Sequence, residues 1–589
     1  MTTPQRNHPK IGKLRPSQVA TQHGPGAVVD LPDVSVIVAG TDHWYPRSAD
    51  RVLEPRLEAF LGIEGIYRTP TGGPGHFGGV PAWLFPAWLV CPRCRLLAPA
   101  SEFEMKSQWG TVEFRCRRVH EGGRPPQAFP ARFMTACERG HLDDFPWWEW
   151  VHGPGSTPCK GPLELRDLGT TGGTTDLVVV CTSCDEKRTM ADAFNPETRD
   201  LPCTGRRPWI GPADREDCPE TARTLLRGAS NAYFPVVASA LSIPPWTDPI
   251  HAEVEPYREG LLQADTIGKL KAGIECGFYK VGDLLDRYTI EQIWDALHPE
   301  PDTSRGLRRD EWLAFLHPET PPEGAEFEVS RRAVPPRFQS EIADVVAATR
   351  LREVRALRAF TRIDSGFDLG ERDFDELDIK PAPLGTTNVK WLPGVDLRGE
   401  GVFIRLDERE LRAWENEPAV RAAAEQLAER HREWIRRWDR REQPFPGMRY
   451  VLLHTLAHVL MRQLALDCGY SASALRERIY SDPGEEPMAG LLIYTASSDS
   501  EGSLGGLVDQ ARPDRLSALL LDGLHESSFC ASDPLCATGD VGARAHLNGA
   551  ACHACLLLAE TSCENGNHLL DRAVLTRTVA RDDLCFFTV

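Results

Sequence analysis

Three stretches of the sequence hold two cysteines separated by two residues: Cys91-Pro-Arg-Cys94, Cys181-Thr-Ser-Cys184 and Cys552-His-Ala-Cys555. That spacing lets one tight turn aim two sulfur atoms at a common point. It serves either a dithiol redox pair or half of a tetrahedral zinc site. A redox pair of the thioredoxin kind needs a strand before it and a helix starting on it. The first two stretches lack the helix, and the third is followed by LLLAE, which could form one. Each stretch also has further Cys or His close by, which three separate redox sites would not require. The pattern points to structural Zn2+, in two or three sites.

The ligand sets can be drawn in more than one way. Cys91 and Cys94 are completed either by Cys116 and His120 (CRRVH) or by Cys137 and His141 (CERGH). The first choice leaves a linker of 21 residues, as in a zinc ribbon, and leaves Cys137, His141 and Cys159 to another site or to none. Cys181 and Cys184 find Cys203 and Cys218 downstream, a looser pattern. Cys552 and Cys555 have Cys530 and Cys536 just upstream in FCASDPLC, with Cys563 as a rival. All these sets are dominated by cysteine. A catalytic zinc keeps an open position and a base beside it, so closed structural sites are expected.

Other motifs carry less. Gly73-x-Gly75-x-x-Gly78 has the spacing of a dinucleotide loop, but it contains Pro74 and has no strand-to-helix context, so it reads as a loop. Asp375-Glu376-Leu377-Asp378 resembles a helicase acidic box, yet no GxxxxGK[ST] occurs anywhere, and ATP hydrolysis is not expected. His454 and His458 lie four apart on one helix face, but position 455 is Thr where a zinc protease needs Glu. A packed histidine pair is the plainer reading, and a zinc-dependent nuclease or hydrolase the alternative. Ser497, Ser498 and Ser503 sit in a Gly-rich loop with neither a nucleophile elbow nor a lysine.

The elements that must position these residues form a mixed α/β (α+β) chain of several domains. Its 589 residues imply about three or four of them. Residues 1–90 read as β-rich, with HGPGAVVDL and VSVIVAG as strands. Residues 91–230 are zinc-ribbon-like and loop-rich, a small-β-module texture that metal would staple. Residues 231–445 read as mainly helical, with helices over 342–360 and 417–442. Residues 446–589 combine a buried helix over 449–469, ended by a glycine cap, with a buried strand over 490–496.

Nine of the 17 cysteines lie between 91 and 218 and six between 530 and 585, which is clustering rather than core scatter. The net charge is −18, against bulk coating of nucleic acid. No apolar N-terminal segment or membrane-length run is present, so a cytoplasmic protein without membrane contact is expected.

Two arginine runs stand out. Arg350, Arg352, Arg355, Arg358 and Arg362 form one; Arg432, Arg436, Arg437, Arg440 and Arg441 form the other, interleaved with Trp434 and Trp438. Arginine beside tryptophan can grip phosphate and stack on bases. An ordinary solvated face paired with acids would look the same. The candidate nucleic-acid contacts are Arg352, Arg355, Arg432, Arg436, Arg437 and Arg440.

Longer phrases carry a resemblance. CHACLLLAETSCENGNHLLDR (552–572) is similar to the end of a domain of unknown function found at the C-termini of some superfamily-two DNA helicases. KLRPSQVATQHGPGAVVDL (13–31), CERGHLDDFPWWEWVH (137–152), LLRGASNAYFPVVASALSIPPW (225–246), LREVRALRAFTRI (351–363) and LLHTLAHVLMRQLALDCGYSASALRERIY (452–480) resemble the DrmB family of the DISARM anti-phage defence system. The resemblance implies a partner, the helicase-like ATPase DrmA, in a heterodimer that binds DNA and helps restrict phage DNA. It implies no catalytic residue in this chain. It implies zinc at Cys552 and Cys555, with Cys530, Cys536 and Cys563 competing for two places, in a C-terminal helicase-associated zinc-binding domain.

Overall fold

The structure is a computed structural model that describes residues 14–19, 22–47, 50–70, 79–108, 111–120, 123–153, 159–169, 173–195, 201–298, 306–318, 321, 324–363, 381–386, 390–437, 444–495, 505–539 and 547–588. Its longest strand, Ile342–Thr361, is the backbone of the largest sheet. Across that sheet the order is Phe234–Leu241, Ile342–Thr361, Trp391–Leu406, Met488–Thr495, Leu475–Asp482, and every neighbouring pair is antiparallel. Strand Glu328–Arg332 pairs with the long strand, and Gly65–Tyr67 runs parallel to the start of Trp391–Leu406.

Side chains alternate across a strand, so each strand supplies two faces. Val345, Ala347, Val402, Ile404, Leu491 and Ile493 point to one core, where helix Met448–Cys468 packs. Val346, Ala348, Phe403, Leu492 and Tyr494 point to the other, where Trp312 and Phe315 of helix Leu307–Leu316 pack. Burial on both faces explains why the strands read as unbroken apolar runs. Helix Met448–Cys468 is buried nearly all round and ends at Gly469, whose φ of +70° is the expected left-handed cap. Helix Pro513–Ser527 crosses it at Gly523; a Cβ there would meet Val459 at 2.7 Å, so only glycine permits the approach.

The helix expected over 342–360 is a strand. Alanine, leucine and arginine at three-residue spacing imitate a helix with a solvated face, but the arginines are inside. Arg352 lies 3.2 Å from Glu326, and Arg355 forks onto Glu353 at 2.8 and 3.0 Å. Arg362, 1% exposed, donates to the carbonyls of Gly26 (2.7 Å) and Gly140 (2.9 Å) and to that of Ala232. Cross-strand pairing and buried charge pairs override helix propensity here. Region 231–445 is mixed: its α-helices fall within 249–316 and 408–437, and four of its strands join the large sheet. That sheet also takes in 475–495, so it runs across position 445.

N-terminal to it lie three further sheets of shorter strands. One has three strands, Val28–Asp30, Ser35–Val38 and Ala82–Leu84. A second strings eight short strands between Lys187–Thr189 and Phe103–Gln108. The third orders Leu142–Asp144, Phe133–Ala136, Thr221–Leu226 and Leu201–Pro202. Gly73, Gly75, Gly78, the acidic run 375–378, Ser497, Ser498, Ser503, Trp438, Arg440 and Arg441 lie outside the described residues. Among the described residues no helix is long and apolar enough to cross a membrane.

Glu311 is a fully buried charge with several partners. Its carboxylate accepts from Arg478 twice at 2.6 Å, from the Tyr480 hydroxyl at 3.1 Å and from the Leu241 amide at 2.9 Å. Removing one partner strands the other in the core. Glu311→Ala is expected to lower stability by about 3–5 kcal/mol. Arg331→Ala, which breaks the more exposed pair with Asp344, should cost less than about 1 kcal/mol. Urea denaturation followed by tryptophan fluorescence compares the two.

Candidate metal centres

Each candidate ligand sits on a turn or loop that the strands bring to one place. Cys91–Cys94 forms the turn between Trp88–Val90 and Leu96–Pro99. The Arg95 amide donates back to Cys91 O at 3.0 Å and Arg95 takes φ +60°. Cys181–Cys184 repeats that turn: the Asp185 amide donates to Cys181 O at 3.0 Å, with φ +58°. A non-glycine residue held in the left-handed region marks a turn fixed for a purpose.

The mates come from elsewhere. Cys116 ends strand Thr111–Cys116 and His120 follows it, so Cys91 and Cys94 take CRRVH rather than CERGH. Cys137 and His141 flank the hairpin that pairs Ala136 with Leu142. Cys203 and Cys218 flank the strands that pair Pro202 with Thr221. Both hairpins belong to one sheet, through Ala136 opposite Arg223, and their loops meet at its end. Cys181 and Cys184 face His152, the last residue of helix Trp147–His152, and Cys159. Pairing Cys181 and Cys184 with Cys203 and Cys218 is thus overturned: the two pairs lie in different groups. His152 escapes sequence reasoning because six residues separate it from Cys159, a spacing no knuckle uses.

The fourth group is Cys530, Cys536, Cys552 and Cys555. Asp533 organises its first loop, accepting from the Cys530 amide at 2.8 Å and from buried Arg572 at 2.5 Å. Cys563, the rival, belongs elsewhere, beside His454, His458 and Glu477. Spacing predicts two or three sites; the described residues bring four Cys-rich groups together.

The distances test the chemistry. Tetrahedral bonds of ~2.0–2.3 Å put neighbouring ligand atoms about 3.3–3.8 Å apart. Observed separations are 3.9 Å (Cys91–His120), 3.7 Å (Cys94–Cys116), 3.4 Å (Cys137–His141), 3.7 Å (Cys159–Cys181), 3.3 Å (Cys184–His152), 3.5 Å (Cys530–Cys552) and 3.7 Å (Cys536–Cys555). A disulfide needs about 2.05 Å, and none of these pairs approaches it.

Ring nitrogens that face away from the sulfurs have acceptors of their own: His141 Nε2 lies 2.9 Å from Glu216, and His152 Nδ1 lies 2.8 Å from Trp148 O. Such outer partners fix the tautomer a metal-ligating histidine needs.

Burial opposes ionisation of Cys552, but the Ala554 amide and the thiols of Cys530 and Cys536 outweigh it and bring the pKa to about 7. Cys555 goes the other way, to about 11, chiefly by burial and then by charge on Cys552 and Cys530. One thiolate forms readily; further ones need a cation between them. Four protein ligands leave no open position, so these groups suit a structural ion.

The arginine candidates divide. Arg352 and Arg355 are buried and ion-paired in the sheet, which removes them from any exposed groove. Arg432 and Arg436 are exposed near the end of helix Pro418–Arg437, both touching Glu429. The Arg437 side chain and Arg440 lie outside the described residues. His454 and His458 are fully buried, so a hydrolase built on them would have no access for substrate.

Zinc counting separates the ligand sets. Cys181→Ser with Cys184→Ser should lose one zinc per chain by native mass spectrometry. Cys181→Ser with Cys203→Ser should lose two; loss of one would restore the pairing read from spacing.

Comparison with known proteins agrees with this geometry. Residues 15–234, which hold the first three groups, match a domain of unknown function (DUF8724). Residues 456–556, which hold the fourth, match the MrfA Zn-binding domain. A DISARM protein DrmB from Bacillus paralicheniformis is 32% identical over 578 residues, covering 94% of this chain and 98% of its own length. Similar from end to end, the chain belongs to the DrmB family.

Proposed function

We propose that this chain is a non-catalytic accessory subunit of a DrmA-like helicase or translocase in DISARM anti-phage defence, and that it supports binding and restriction of foreign DNA. The observation that carries this reading is the end-to-end similarity to a protein named for that system. The sequence offers no phosphate-binding loop of its own, so the motor belongs to the partner. Zinc held by the four Cys-rich groups fixes the turns and loops at the ends of the short strands, beside the buried apolar clusters those strands enclose. The product is a rigid platform for docking on the helicase.

DNA contact, on this reading, comes through the complex. The helix end carrying Arg432 and Arg436 is its basic edge, and Arg437 and Arg440 follow in the sequence. Glu429 partly neutralises the two described arginines, which keeps affinity low until the partner completes the channel. Replacing Arg432, Arg436, Arg437 and Arg440 by Glu should weaken DNA binding by the co-purified complex at least tenfold. It should also flatten the salt dependence of binding, by up to about one unit of log–log slope for each phosphate that the chain no longer neutralises. An unchanged isotherm, with the complex intact, would make the chain a scaffold that never touches DNA.

A further inference from the structure

We propose a fifth zinc site, formed by His454, His458, Glu477 and Cys563, that locks the C-terminal loop onto the open edge of the large sheet. Their ligand atoms all lie within 4.8 Å of one another. His454 Nε2 is 3.0 Å from Glu477 Oε1 and 3.1 Å from Cys563 Sγ; His458 Nε2 is 3.5 Å from the same carboxylate oxygen. The two histidines are one helical turn apart on helix Met448–Cys468, so their rings point the same way. Glu477 faces them from strand Leu475–Asp482, and Cys563 closes the set from the loop beyond.

Three features favour an ion over simple packing. First, the site is closed: His454, His458 and Glu477 are 0% exposed at their side chains. Within it, His458 Nε2 and Glu477 Oε2 have no hydrogen-bond partner. Buried polar atoms seldom go unsatisfied, and a cation at the centre would satisfy both. Second, His458 Nδ1 is 3.0 Å from Leu556 O, which places the proton there and leaves the Nε2 lone pair facing inward. Third, the Asn565 and Asn567 amides donate to Cys563 Sγ at 3.3 and 3.1 Å, as they would to a thiolate. Two neutral imidazoles, one carboxylate and one thiolate sum to two negative charges, which a divalent ion cancels. Imidazole with thiolate in a closed set of four suits zinc.

The position says what the ion would do. Leu475–Asp482 is the last strand of its sheet, and such an edge invites pairing with other chains. The loop 561–564 covers it: the Glu477 amide donates to Ser562 O at 3.2 Å, and the Glu564 amide donates to Glu477 Oε1 at 3.0 Å. Arg476 reaches Thr561 O at 2.9 Å. The matched zinc-binding model spans 456–556, so it leaves out both His454 and Cys563. The site is distinct from the four-cysteine group and joins a different part of the loop.

Anomalous scattering at the zinc edge, from crystals of the unmodified full-length chain, tests this directly. A peak between His454, His458, Glu477 and Cys563 is expected; its absence, with peaks at the Cys-rich groups, would overturn the site and leave a proton-held His–Glu pair. His458→Gln should lower the zinc count by one relative to the parent in native mass spectrometry, and an unchanged count in the folded variant would refute the assignment. Should that variant not fold, the anomalous map alone decides. A missing peak here leaves the accessory-subunit reading untouched.

Discussion

Sulfur and nitrogen atoms held in fours, all within 4.8 Å of one another, are the constraint on which the cysteine-rich segments of this molecule depend. Thiolates packed so closely repel one another, and burial makes the repulsion worse. The contrast between Cys552, near 7, and Cys555, near 11, expresses it within one turn. A cation at each centre would turn that repulsion into cohesion between turns that are distant in sequence. It would also help to offset the left-handed backbone at Arg95 and Asp185, beside the hydrogen bonds those amides make to Cys91 O and Cys181 O.

The large sheet is organised on the opposite principle. It is buried on both faces, and two aromatic and aliphatic cores account for its cohesion. Its charges are paired inside it rather than displayed: Glu311 with Arg478, Glu353 with Arg355, Asp396 with Arg68 and Arg352. Arg362 links the two principles. It reaches from the long strand to the carbonyl of Gly140, inside the CERGH turn, and to that of Gly26 in the N-terminal strands. Charges paired in this way are committed to holding the fold together.

Much of this is legible in the sequence, and the failures have physical causes. The three CxxC turns follow from local spacing, which also offers the CRRVH mate and the pair at 530 and 536 without deciding for them over CERGH and Cys563. The helix over Met448–Cys468 and its Gly469 cap follow from an apolar run and a terminator. Which hairpin loops meet in space depends on sheet order, and no local spacing encodes that; hence spacing gives Cys203 and Cys218 to the wrong knuckle. His152 has no knuckle spacing to announce it. Periodicity misreads strand Ile342–Thr361 because it treats arginine as a solvent marker. A buried arginine beside a buried glutamate gives the same letters. The pair His454 and His458 is visible at helical spacing, but its mates Glu477 and Cys563 lie on a strand and a loop far along the chain.

Hydrogen exchange with and without zinc tests the central claim that the short-stranded, cysteine-rich segments depend on metal in addition to their apolar clusters, whereas the large sheet does not. The account predicts that gentle chelation at neutral pH abolishes amide protection across residues 88–226 and 530–570. The strands Ile342–Thr361 and Trp391–Leu406 should keep theirs. Uniform loss of protection, or none after zinc has been removed, would contradict it.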